Sequence, residues 1–91
     1  MKIYVFTTSV CPHCPPAKEL VKKVCEEKGI DYEIVVLDQP EGEKYMELAN
    51  SLGIMAVPTI VLENDDGSYE IVSVGVPPED AFVKYVDEKL N

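Results

Sequence analysis

Two cysteines separated by two residues, Cys11 and Cys14, stand between a short apolar run, Ile3-Tyr4-Val5-Phe6, and a segment with helical spacing. This pair constrains the fold more than any other feature, because it marks a junction of strand and helix and sets two thiols on it. Residues 2–6, in which Lys2 leads four apolar β-branched or aromatic residues, end at the polar Thr7-Thr8-Ser9, which reads as a strand. Beyond the pair, Ala17, Leu20, Val21, Val24 and Cys25 recur at intervals of three and four. Lys18, Glu19, Lys22, Lys23 and Glu26 occupy the other face, and Gly29 closes the helix. Pro15 and Pro16 lack an N–H and disfavour helical geometry before them, so regular helix is expected only near Ala17, with the dithiol on a distorted first turn.

Ile34-Val35-Val36-Leu37 is a continuous apolar run, as expected of a strand buried on both faces of a parallel sheet. Asp38 and Glu41 suggest a capping pair for a second helix bearing Tyr45, Leu48, Ala49 and Leu52, with Gly53 as its stop. Thr59-Ile60-Val61-Leu62 and the run 69–74 flank the turn-rich Asn64-Asp65-Asp66-Gly67-Ser68, an antiparallel hairpin. Pro78-Glu79-Asp80 opens a last helix carrying Phe82, Val83, Val86 and Leu90. The predicted order is βαβαββα. It gives an α/β fold with a mixed four-stranded sheet, three helices on both its faces and a right-handed crossover between the first two strands.

A chain of 91 residues supports one domain, residues 1–91. Lys2-Ile3-Tyr4-Val5-Phe6 follows Met1 in place of a secretory apolar run, and no apolar stretch approaches the ~20 residues of a membrane span. The expected location is therefore the cytoplasm, where paired thiols act as catalysts or metal ligands more often than as staples. Three cysteines, an odd number, fit a disulfide framework poorly. The net charge is −9 and there is no Arg, which argues against nucleic acid or an anionic membrane as partner. Residues 1–30 hold five Lys against three Glu, and residues 31–91 three Lys against fourteen acids; a solvated surface accounts for this, and docking is the sharper alternative.

At a helix N-terminus, exposed amides and a macrodipole of about half a positive charge favour a thiolate over a thiol. Lowering a pKa of ~8.5 by ~2 units makes the thiolate predominant at neutral pH, a stabilisation of ~2.7 kcal/mol. Cys11, at the mouth of the helix, is assigned as nucleophile and Cys14 as the resolving thiol. Pro12 and His13 fill the spacer, and His13 is expected to tune the Cys11 thiolate by charge or hydrogen bonding; the blander reading is a solvated histidine. Cys25 lies eleven residues past Cys14, about 16 Å along the axis, and reads as a buried core thiol.

Cys11-Pro12-His13-Cys14, the Pro-Pro-Ala-Lys-Glu-Leu segment after it, and Val57-Pro58-Thr59 ahead of a hairpin resemble the thioredoxin and glutaredoxin superfamily, most closely the small glutaredoxin-sized thioredoxins of archaea. The resemblance implies a thioredoxin-like fold, a cis bond at Pro58 facing the dithiol, and substrate binding at Val57, Pro58 and Thr59. There the Val57 backbone would present its N–H and C=O to an extended segment. It further implies a monomer that reduces disulfides in protein substrates, resupplied by a thioredoxin reductase or similar electron donor, with no metal or organic cofactor. Two departures stand out. The glutathione-holding segments of glutaredoxins have no match in Thr7-Thr8-Ser9-Val10 or in Gly75-Val76-Pro77-Pro78-Glu79-Asp80, and Val5 occupies the place of thioredoxin's buried acid.

The alternatives are a glutathione-dependent glutaredoxin, a zinc or iron-sulfur module using Cys11, His13 and Cys14, and a non-catalytic interaction module. A structural zinc site needs four ligands, and the chain has no second Cys or His pair within reach.

Overall fold

The computed structural model describes residues 1–12 and 14–90, with the backbone alone at Cys14. Among them the elements run β1 (Lys2–Thr7), α1 (Cys14–Lys28), β2 (Asp31–Val36), a 3-10 turn (Pro40–Tyr45), α2 (Met46–Ser51), β3 (Thr59–Glu63), β4 (Tyr69–Val74) and α3 (Glu79–Leu90). The sheet order is β2-β1-β3-β4. β1 pairs parallel with β2, Val5 opposite Ile34, and antiparallel with β3, Val5 opposite Ile60; β3 and β4 form the antiparallel hairpin. The mixed four-stranded sheet, the βαβαββα order and the hairpin are those expected.

Helices cover both faces. Ile3, Val5, Ile60 and Leu62 pack on one side against Val21, Val24 and Cys25 of α1 and Phe82 and Val86 of α3. Tyr4, Phe6, Val35 and Val61 pack on the other with Ala49, Leu48 and Leu52 from the α2 region. Burial on this scale, about 25 cal/mol per Å² of apolar surface, is what holds so short a chain together.

The double-faced burial expected of the run 34–37 belongs instead to β1, where Ile3, Tyr4, Val5, Phe6 and Thr7 are all buried. In β2 only Val35 is, since β2 lies at the sheet edge and its strand stops at Val36. α1 also differs from expectation by beginning at Cys14 and not near Ala17. The first-turn N–H groups of a helix have no intrahelical acceptor, so Pro15 and Pro16 cost no hydrogen bond there. At its other end Gly29 takes a φ of 69°, and the Ile30 N–H reaches back to the Cys25 carbonyl at 2.9 Å, closing the helix with a left-handed cap.

The single second helix capped by Asp38 and Glu41 is not formed. Gln39 precedes the 3-10 turn without a side-chain cap, and the Asp38 carboxylate is committed elsewhere, to Ser9. Gly42 is buried under the end of β2, which draws the chain into the tighter turn before α2 can start.

Candidate active site

β1 ends at Thr7 and α1 starts at Cys14, so Cys11 lies in the short segment that links the central strand to the first helix. Parallel pairing of β1 with β2 continues past the strand end, where the Leu37 N–H donates to the Thr7 carbonyl at 2.8 Å. Two residues on, Ser9 is fastened to Asp38: its backbone N–H donates to Oδ1 at 2.8 Å and its hydroxyl to Oδ2 at 2.5 Å. These bonds hold the Asp38 carboxyl below the usual carboxylate range. The Thr8 hydroxyl donates to the Val10 carbonyl at 3.2 Å. Cys11 itself is half-buried and disulfide-bonded, and Pro12 beside it is exposed. His13 and the Cys14 side chain lie outside the described residues.

A second segment approaches from the start of β3. The Val57–Pro58 peptide is cis, as the resemblance implied. The Pro58 carbonyl accepts from the Gly75 N–H at 2.7 Å, and the Thr59 hydroxyl donates to the Ala56 carbonyl at 2.6 Å, so both ends of the turn are tied down. Pro58 and Thr59 are buried, whereas Val57 lines an open hollow of about 410 Å³ together with Thr8, Leu37, Asp38, Met46 and Met55. The hollow thus joins the strand-to-helix segment, through Thr8, and the chain after β2, through Asp38, to the cis-proline turn, through Val57. Met55 in its lining is 96% accessible, and Val10, in the strand-to-helix segment, is 84% accessible.

Cys25 is fully buried in the α1 core, and removal from water pushes its thiol up to about 11. It is free of any disulfide, matching its reading as a core thiol. Val5 is fully buried among aliphatic neighbours, so no carboxylate stands at that place in β1. Among the described residues no group of three His, Cys, Asp or Glu side chains is placed to hold a metal ion, and no helix is long and apolar enough to cross a membrane.

Three features were missed in the sequence. The Ser9–Asp38 bond joins residues 29 apart and was hidden because Asp38 before Gln39-Pro40-Glu41 looks like a helix cap. Gly75 and Pro58 meet only through the hairpin, and Met46 with Met55 only through the turn geometry of residues 37–57.

A family model for the thioredoxin domain matches residues 1–87. The chain is 37% identical to a thioredoxin of Methanocaldococcus jannaschii over 99% of its own length and 96% of that protein's. It is 30% identical to a thioredoxin of Bacillus subtilis over 87% of this chain and 75% of that one. Among solved structures, a mutant thioredoxin from Halobacterium salinarum superposes with a TM-score of 0.79 at 26% identity, covering 99% of this chain and 74% of the other. These relatives are thioredoxins, and nothing among them favours the glutaredoxin alternative.

Proposed function

The chain belongs to the thioredoxin domain family of redox proteins, and from that premise we propose that it reduces disulfides in protein substrates through the dithiol of Cys11 and Cys14. The Cys11 thiolate attacks one sulfur of the substrate disulfide, forming a mixed disulfide and releasing one substrate thiolate, which takes a proton from solvent. Cys14, as thiolate, then attacks the Cys11 sulfur. The Cys11–Cys14 bond forms, the second substrate thiol leaves, and two electrons have passed to the substrate. An external dithiol donor, a thioredoxin reductase or its equivalent, returns the pair to the reduced state.

The observation that supports this most directly is the placing of Cys11 at the mouth of α1, on a segment that shares a hollow with the cis-proline turn. Val57 would offer its backbone to an extended substrate strand, while Pro58 and Thr59, both buried, shape the turn that presents it. Pro12 and His13 tune the thiolate. The protein acts as a single domain and a monomer in the cytoplasm, with no cofactor.

Substituting Cys11 by Ser should abolish insulin-disulfide reduction, while Cys14→Ser should accumulate mixed disulfides with substrate. A fully active Cys11→Ser protein would refute the assignment. Turnover with a thioredoxin reductase, compared with glutathione and glutathione reductase, identifies the donor.

A further inference from the structure

We infer that Asp38 is a positioning residue for Cys11, acting through its paired hydrogen bonds to Ser9; the inference rests on Cys11 being the nucleophile. Residues 8–12 belong to no regular element, and Pro12 within them and Pro15 and Pro16 at the start of α1 have no N–H with which to fix the segment from its helical side. In the reduced chain, where the Cys11 disulfide is open, anchoring from upstream gains weight. The Thr7 carbonyl takes the last ladder bond, from Leu37, and among the described residues the hydrogen bonds that tie residues 8–10 to a part of the chain distant in sequence are those of Ser9 to Asp38. Thr8 bonds only locally, its hydroxyl donating to the Val10 carbonyl and its carbonyl accepting from the Thr7 hydroxyl, both at 3.2 Å.

Asp38 is itself a firm post. The Gln39 N–H donates to the Val36 carbonyl at 3.2 Å and the Gly42 N–H to the Gln39 carbonyl at 2.9 Å, so the backbone on its C-terminal side is folded into a bonded turn. Both carboxylate oxygens are used, one on a backbone donor and one on a hydroxyl, which fixes the direction as well as the distance of the Ser9 backbone. Ser9 stands two residues before Cys11. Freeing it lets the thiolate drift from the positive end of the α1 dipole that favours it, and reactivity at neutral pH falls.

An alternative role, that of a nearby negative charge acting on the thiolate, predicts the opposite sign: removing the charge would make the thiolate easier to form. Asparagine separates the two, because its amide can accept from the Ser9 N–H and donate to the Ser9 hydroxyl while carrying no charge. The experiment is iodoacetamide alkylation of Cys11 in the reduced full chain, followed by peptide mapping from pH 5 to 9. It needs no disulfide substrate, so it succeeds or fails independently of the proposed reduction reaction. For Asp38→Ala we expect a rate at pH 7 lower by roughly tenfold and a pH midpoint moved upward, with Asp38→Asn recovering most of both. Ser9→Ala, which keeps the backbone bond, falls between. Asp87→Ala, which breaks an ion pair with Lys28 at the far end of α1, measures any general effect of destabilisation and leaves the midpoint in place. An unchanged rate and midpoint in Asp38→Ala would overturn the inference, as would Asp38→Ala and Asp38→Asn accelerating alkylation together.

Discussion

A side chain on Gly42 would bring its Cβ to 2.1 Å from the carbonyl oxygen of Val36 and 2.8 Å from the Leu37 Cα. The contact is with backbone at the end of β2, which cannot swing aside as a flexible side chain could. Gly42→Ala should therefore push the 3-10 turn off the sheet and cost about 2–3 kcal/mol. At about 4–8 °C per kcal/mol for a domain of this size, the melting temperature falls by roughly 8–24 °C. Gly29→Ala is the comparison. Its φ of 69° is unfavourable to alanine, but nothing lies within 4 Å of the added carbon, so the cost is about 1 kcal/mol. Thermal melts that rank Gly29→Ala as the more damaging change would contradict this reading.

Gly42 also shows where sequence reading stops. Apolar runs and the turn cluster 64–68 located the four strands, and helical spacing of the apolar residues located the two long helices. The glutamate three residues after Asp38 looked like a cap, and nothing local reveals that the carboxylate reaches back across 29 positions to Ser9. The edge position of β2 was equally hidden: Ile34-Val35-Val36-Leu37 is as apolar as a central strand, and only the strand order tells that one of its sides is bare. At the site, the dithiol and Pro58 were legible as motifs. The hollow lined by Thr8, Asp38 and Val57 was not, since Met46, Met55 and Val57 are gathered by the tertiary path of the chain.

Cys25 makes stability fall in alkali. Burial raises its folded-state pKa to about 11 from the ordinary 9.0. Below pH 9 both states hold the proton and the contribution is complete; between pH 9 and 11 the unfolded chain releases it while the folded chain does not, so stability declines. The loss reaches about 2 kcal/mol by about pH 10.5. Urea denaturation of reduced protein at about pH 8 and about pH 10.5 should show it, and Cys25→Ala should lose less stability across that interval than the parent. Identical declines in the two proteins would mean that Cys25 contributes no alkaline sensitivity.

The acid side depends on Glu33, which accepts from the Tyr45 hydroxyl at 2.7 Å and from the Lys2 ammonium at 2.9 Å. The tyrosine bond first and the lysine second hold its carboxyl below the usual range. A lowered carboxylate stabilises the fold above its ordinary pKa, and that stability is lost as pH falls through the folded value. Tyr45→Phe keeps the ring against Tyr4 and Phe6 and removes only the donor. It should cost about 1 kcal/mol at pH 7, and the difference from the parent should shrink toward pH 3. A penalty constant from neutral to acid pH would place the loss in packing instead of in the bond.

Met55 and Val10 bear on how a protein substrate would be held. Both stand almost wholly in solvent, Met55 on the rim of the hollow and Val10 just past Thr8, although exposing large apolar side chains gives the free protein no stability. If a substrate covers them, an acidic replacement at the rim opposes docking without touching the thiols. Met55→Glu should raise the KM for insulin-disulfide reduction by roughly fivefold or more while leaving kcat within about twofold. Turnover of a small disulfide, which has no surface to cover the rim, should stay near that of the parent. The contrast between large and small substrates is the decisive readout, because damage to the Cys11 segment would slow both alike, and a parallel loss on the two substrates would therefore remove Met55 from the docking surface.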